Sequence, residues 1–309
     1  MSDTPPHLGP VTLQPIMVER IWGSPQLGPW YSQPAAGKPI GEVWLTAEEC
    51  VGEGTGATLA ALAARSPIAF GNDDGQGFPL LIKLLFPREK LSVQVHPDDA
   101  QARAMLGQPR GKTECWYVLS AEPGAEVALG FRDPITIAEV RAAIGDGTLE
   151  SKLHYLPVKA GDMVFVDANT VHAIGPGVVV LETQQYSDVT YRLWDYGRPR
   201  ELHLEAGLAV ARTDTSAGKI EAVEMGDFTR LVSCAYFSVD RFALMPGVSA
   251  PLDNTPDLQI LIALGEGASV TFSGGLVPLL AGRAVVLPAE DTLYTLTSTG
   301  PVDVIRVLR

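Results

Sequence analysis

Apolar residues fall in short runs along this chain, broken every few positions by Gly, Pro or polar clusters, and many runs alternate with period two. GEVWLTA (41–47) alternates as a strand with Glu42 and Trp44 on one face, and ATLAALAARSPIAF (57–70) predicts a short helix. FPLLIKLLF (78–86) predicts a buried strand interrupted only by Lys83, whose ammonium either snorkels to an edge or points into a polar cavity. In KLSVQVH, Lys90, Ser92, Gln94 and His96 share one face, and Leu91, Val93 and Val95 the other. An amphipathic edge strand would alternate in the same way. PDDAQARAML then predicts a helix over about 98–107, with Asp98 or Asp99 at its N-terminus to suit the dipole.

Farther on, GKTECWYVLS sets Lys112, Glu114 and Trp116 on one strand face, and EVALGF is a further strand. Helical insertions are predicted over about 136–150 and 200–212, with strands between them. From about 216 the pattern is strand-like to the closing PVDVIRVLR. AGDMVFVDANTVHAI and AGRAVVLPAEDTLYTL share an Ala-Gly start, an apolar run and a turn. Eleven positions after Gly161 stands His172, whereas the same step from Gly282 reaches Leu293. A first domain over 1–215 carrying the chemistry, and a degenerate second copy over 216–309 without metal ligands, are therefore expected.

Composition narrows the classes. The 309 residues are 46% hydrophobic, enough for two domains, and 31 Gly with 24 Pro favour strands and turns over a helical bundle. No run approaches ~18 apolar residues, so no membrane span is predicted. MSDTPPHLGP has neither a basic nor an apolar segment of the signal-peptide kind, and a cytoplasmic location is expected. Cys50, Cys115 and Cys234 are far apart and odd in number, which suits a reducing compartment, and strand alternation turns Cys115 away from Glu114. A net charge of −13 argues against nucleic acid and anionic lipid as partners, and requires a local basic cluster if the ligand is an anion. Nothing in the sequence reports on oligomeric state.

Gln94, His96, Glu114 and His172 come from three strand-like segments and together predict a divalent-metal site. A Gly–x10–His spacing after a strand, joined to a His…Glu strand pair, is the skeleton of a cupin barrel. The predicted fold class is mainly β: two cupin-type, jelly-roll-like barrels with short helical insertions. The usual cupin motifs are modified, since Gln94 replaces a first histidine and Asp167 and Asn169 stand where Pro and Gly are usual.

PLLIKLL (79–85), LSVQVHPDD (91–99), GKTECWYVL (111–119), the stretch from VHAIG to LE (171–182) and QQYSDVTYRLWDYGR (184–198) resemble, in order and spacing, the short bacterial type I mannose-6-phosphate isomerases. The resemblance covers most of residues 20–200. It implies one Zn²⁺ per chain on Gln94, His96, Glu114 and His172, and interconversion of an aldose and a ketose sugar phosphate by proton transfer between C1 and C2. It implies a catalytic role for Arg192, whose permanent charge suits an enediolate better than proton abstraction. Ser92 and Arg198 match positions near the phosphate, and Lys83 becomes cavity-lining. Lys112, facing with Glu114, is a candidate for substrate or proton handling, and Glu182 for an acid/base or orienting role beside a purely structural one. The proton-abstracting group stays open among a water on the metal, Glu182 and Lys112. Trp22 and Trp44 either wall the pocket or pack in the core. Lys90 either joins the phosphate cluster or is solvated. His7, His154 and His203 match no motif and are expected in a terminus, on the surface or in packing. Two other readings predict different behaviour: an Fe(II) cupin oxygenase would consume O₂, and a sugar-phosphate sensor would bind without turnover.

Overall fold

The computed structural model describes residues 9–32, 37–252, 257–289 and 292–309; His7 lies outside them. The chain is mainly β, with antiparallel sheets in two compact units. The units do not follow the expected division at 215. One comprises Met17–Val43 and Leu80–Glu221; the other comprises Met1–Ile16, Trp44–Pro79 and Ala222–Arg309. Hydrogen bonds between distant segments cause the difference. Val11–Thr12 pairs antiparallel with Ala284–Leu287, and Ala69 accepts from the Ala289 N–H, so early segments complete a late-sequence sheet. Local periodicity cannot see such pairings.

In the unit holding residues 222–309, a seven-stranded sheet and a four-stranded sheet pack over a shared apolar core that includes Phe242, Leu261, Val270, Leu287, Leu296 and Val304. The other unit repeats this jelly-roll-like plan and carries the candidate chemistry. Its strands are β1 (Ile16–Ser24), β2 (Ile40–Trp44), β3 (Leu80–Leu85), β4 (Val93–Val95), β5 (Glu114–Ala121), β6 (Glu126–Phe131), β7 (Leu153–Pro157), β8 (Met163–Val166), β9 (His172–Ile174), β10 (Val178–Gln185), β11 (Tyr191–Trp194) and β12 (Gly218–Ile220). Helices α1 (Asp99–Leu106), α2 (Ile137–Gly145) and α3 (Leu204–Val210) fall in the three predicted insertions. One sheet runs β12-β8-β5-β10-β3-β2-β1, the other β11-β4-β9-β6-β7.

Between these two sheets lies a core containing Trp22, Leu85, Trp116, Val127, Val164 and Ile174. On the far side of the five-stranded sheet, α2 and α3 bury Val140, Ile144, Leu208 and Val210 against Val93, Val95 and Leu193. Since side chains alternate across a sheet, covering one face with helices commits Gln94 and Arg192 to the inner face. Register does the rest. His172 and Arg192 both stand opposite Gln94, while Lys83 and Trp116 both stand opposite Glu182. Two transverse rows of polar and aromatic side chains thus cross the unit, one on each sheet. Among the described residues, no helix is long and apolar enough to cross a membrane.

Candidate active site

Between the rows opens a cavity of about 400 Å³, lined among others by Arg20, Trp22, Glu42, Lys83, Ser92, Gln94, Lys112, Glu114, Trp116, Glu182, Arg192 and Arg200. His96, Glu114 and His172 are each buried, and one donor atom from each lies within 4.8 Å of the others. The local backbone aims them. The Val189 carbonyl accepts from His96 Nδ1 at 2.8 Å, and the Thr170 carbonyl accepts from His172 Nδ1 at 2.9 Å. Each imidazole therefore carries its proton on Nδ1 and turns the Nε2 lone pair to the centre. Burial pulls His172 down to about 4 and His96 well below its usual value, with the Lys112 charge acting in the same direction on both, so both rings are neutral ligands near pH 7.

Glu114 supplies the anion. Its Oε2 accepts from Lys112 Nζ at 2.5 Å, while Oε1 is buried, accepts no hydrogen bond, and lies 3.4 Å from His172 Nε2. Two lone-pair atoms facing each other across such a gap are poorly placed unless a cation joins them. The Nε2 end of the Gln94 amide lies 3.3 Å from the same His172 nitrogen, and its Oε1 accepts from Ser92. Half a turn of this amide presents its oxygen instead, with little change in shape. The donor set (two neutral imidazoles, a carboxylate and an amide) fits a divalent cation.

The turn before His172 is built to hold His96 as well. Asn169, in the left-handed region at φ 73°, accepts its own place by donating its backbone N–H to the His96 carbonyl at 2.8 Å. Its side-chain amide donates to Gln101 Oε1 at 2.6 Å. Gln101 closes the capping box of α1 with Asp98, so the helix N-terminus, the turn and His96 form one hydrogen-bonded corner.

Glu182 is 4% exposed, and its Oε2 accepts from Trp116 Nε1 at 3.2 Å. Its Oε1 is 3.9 Å from both Lys83 and Lys112. Burial pushes this carboxyl up to about 7, with Lys112 opposing and Glu114 adding to the rise. Lys83 does not snorkel: it is 3% exposed and donates to Asp188 at 3.2 Å. Arg192 donates Nη1–H to the Glu201 carbonyl at 2.7 Å, and its Nε is buried without a hydrogen bond.

Other expectations fare differently. Arg198 does not line the cavity; its guanidinium donates to Asp195 and to the Lys90 carbonyl, and Arg200 reaches the cavity instead. Lys90 is paired with Glu150 at an exposed position. Trp22 both lines the cavity and belongs to the core, whereas Trp44 is not in the lining. His154 is exposed, but His203 is more than packing, since its Nδ1 accepts from the Arg192 backbone N–H at 3.2 Å. Arg20, whose guanidinium grips Glu42 at 3.0 and 3.2 Å in the cavity wall, went unnoticed in the sequence because β1, IMVERIWGS, alternates in burial but not in hydropathy.

The comparisons with known proteins agree with this geometry. Residues 11–112 match the family described as phosphomannose isomerase type I, catalytic domain. Mannose-6-phosphate isomerase ManA of Bacillus subtilis is 37% identical over 298 residues, covering 90% of this chain and 93% of that one. The mannose-6-phosphate isomerase of Streptococcus mutans is 34% identical, covering 96% and 97%. A crystal structure of the mannose 6-phosphate isomerase from Bacillus subtilis superposes with a TM-score of 0.86 at 32% identity, over 97% of this chain and 99% of that one. With relatedness extending over nearly the whole chain in sequence and in fold, this protein belongs to the type I phosphomannose isomerase family.

Proposed function

We propose that the chain is a mannose-6-phosphate isomerase that interconverts mannose 6-phosphate and fructose 6-phosphate through an enediol(ate), with one Zn²⁺ per chain on Gln94, His96, Glu114 and His172. The observation that carries this reading is a buried three-donor cluster whose Glu114, with one carboxylate oxygen accepting no hydrogen bond, reaches the wall of a cavity that a separate buried carboxylate held among cations, Glu182, also lines. The cation would supply Lewis-acid polarisation of a substrate oxygen.

The side chains divide the remaining work. Glu182 takes the proton from one carbon and returns it to its neighbour, and a carboxyl raised to about 7 is poised to do both near neutrality. Trp116 fixes one of its oxygens, and the other faces Lys83 and Lys112 at 3.9 Å. Lys112, held as an ammonium between Glu114 and Glu182, and Arg192, one strand from His172 across Gln94, supply positive charge as the enediolate forms. Ser92 and Lys83 line the same cavity, where sugar hydroxyls would lie. Three free thiols, two of them buried, suit a cytoplasmic location.

The test is a coupled assay on mannose 6-phosphate with the protein as purified, after chelation, and after zinc is restored. Activity lost to chelator and recovered with zinc is expected. A fully zinc-loaded protein that binds the sugar phosphate without turning it over would replace this reading with the sensor, and O₂ consumption with iron would replace it with the oxygenase.

A further inference from the structure

Two aspartates follow His96-Pro97, and the helix they lead into uses only one of them as its cap. Asp98 is the N-cap of α1 and closes the capping box with Gln101. Asp99, half-buried at the first helical position, spends its carboxylate outside the helix. Its Oδ1 accepts from the Gly111 backbone N–H and from Gln185 Nε2, each at 2.8 Å. Gln185 passes the grip on. It is 3% exposed, its Oε1 accepts from the Thr113 N–H at 2.9 Å, and its own N–H donates to the Thr113 carbonyl at 3.1 Å. The regular pairing of β5 with β10 ends at Glu114 opposite Gln184. One step beyond, a ladder would give the Thr113 N–H to the Gln185 carbonyl, and here the Gln185 side-chain amide takes that place.

Between those two bonds, the Lys112 N–H donates to the Pro97 carbonyl at 3.0 Å. Three successive backbone N–H groups, those of Gly111, Lys112 and Thr113, are thus held by Asp99, Pro97 and Gln185. The direction of this short segment sets two side chains of the site. Lys112 Nζ lies 2.5 Å from Glu114 Oε2, 3.3 Å from His96 Nε2 and 3.9 Å from Glu182 Oε1. A lysine ammonium rides on a flexible four-carbon stem, so holding it among these groups requires that its backbone be fixed. Glu114 is the first residue of β5, directly after the held segment, and its orientation depends on the same backbone. Asp99 therefore acts on the site through main-chain bonds, on the carboxylate and lysine side of the cluster, whereas Asp98 serves the corner that holds His96.

We propose that Asp99 and Gln185 are positioning residues, a two-part clamp on segment 111–113 that holds Lys112 and Glu114 in place, and that Asp99 is not there to serve the helix dipole. The inference rests on the metal-dependent isomerase reading for what Lys112 and Glu114 do, but metal retention tests it without turnover. Zinc-loaded, full-length Asp99→Ala should release its metal to a competing chelator about tenfold faster than the unaltered protein. Its Co²⁺-substituted form should show a shifted visible spectrum as the Glu114 carboxylate moves. On mannose 6-phosphate with zinc in excess, kcat should fall about tenfold with KM little changed. Asp99→Asn removes the charge but keeps an oxygen for both bonds, and should recover most of each loss. Gln185→Leu should match Asp99→Ala, and carries the comparison if that variant does not fold. The double variant should be no worse than either single one. Thr136→Ala, which removes the cap of α2, should lower the melting temperature while metal retention, spectrum and kcat stay unchanged. Asp99→Ala and Gln185→Leu behaving like Thr136→Ala would overturn the clamp, and Asp99→Asn as impaired as the alanine variant would return Asp99 to the helix dipole. Losses that multiply in the double variant would show two independent residues instead of one clamp. Faster metal release through Asp99 in a protein that isomerises nothing would sink the isomerase reading and leave the clamp standing.

Discussion

The proposed reading gives His172, Arg192 and Glu182 separable jobs. His172→Ala should abolish both bound metal, read by elemental analysis, and isomerisation, since it removes one of three clustered donors. Arg192→Ala should keep the metal and lose roughly 10²- to 10³-fold in kcat. Metal loss in that variant would make its role structural. Trp116→Phe keeps an aromatic ring against His172 but removes the N–H that holds Glu182. About tenfold in kcat is expected, corresponding to one hydrogen bond of ~1.4 kcal/mol. Because burial raises Glu182 to about 7, its proton-accepting form disappears as pH falls through that value. The pH profile of kcat/KM should therefore drop on its acid side near 7 while metal content stays constant, and a limb placed near 4 instead would assign the base to another group. At this scale the sequence was informative where a residue broke its context: Lys83 inside an apolar run, or Gln94 and His96 alternating with valines. It was silent on Arg198 against Arg200, because both sit beside Pro199 and only the two left-handed residues before them, Tyr196 and Gly197, decide which one reaches the cavity.

Elements act by forcing close approaches. Gly111 lies where a Cβ would stand 2.4 Å from the Asp98 carbonyl carbon and 2.5 Å from the Pro97 oxygen, so the segment leading to Lys112 and Glu114 is pressed against the N-terminus of α1. Gly111→Ala should displace that segment. We expect weaker metal retention in a chelator competition and a loss of about 1–3 kcal/mol in stability, the range for overpacking. The three helical insertions were legible because each has its own periodicity, and two carry capping boxes, Asp98 with Gln101 and Thr136 with Glu139. Strand order was not, since it depends on which distant strands share hydrogen bonds. The pairing of His172 and Arg192 with Gln94 from either side is a fact of register, and no single strand states it.

The whole molecule is interleaved. In the unit holding 222–309, Asp240 is fully buried and accepts from Arg306 Nη2 at 2.7 Å and from Arg230, while the Arg306 guanidinium stacks 4.9 and 5.0 Å from Phe228 and Phe242. Asp240→Ala removes the buried carboxylate to which Arg306 and Arg230 donate and should cost ~3–5 kcal/mol in denaturant unfolding. The expected boundary at 215 did not anticipate that residues 44–79 and Val11–Thr12 group with the late sheets. Interleaving also fixes a timetable during synthesis. The unit with the candidate metal donors has all of its chain once Glu221 has emerged, whereas the other sheet has a hole at its middle until Val302–Leu308 arrives to join Ser238–Leu244 and Gln259–Ala263. On the ribosome, then, the segment Trp44–Pro79, like Val11–Thr12 before it, is made early and waits for late partners, a long exposure for apolar residues such as Leu59, Leu62 and Phe70 that are buried in the finished chain.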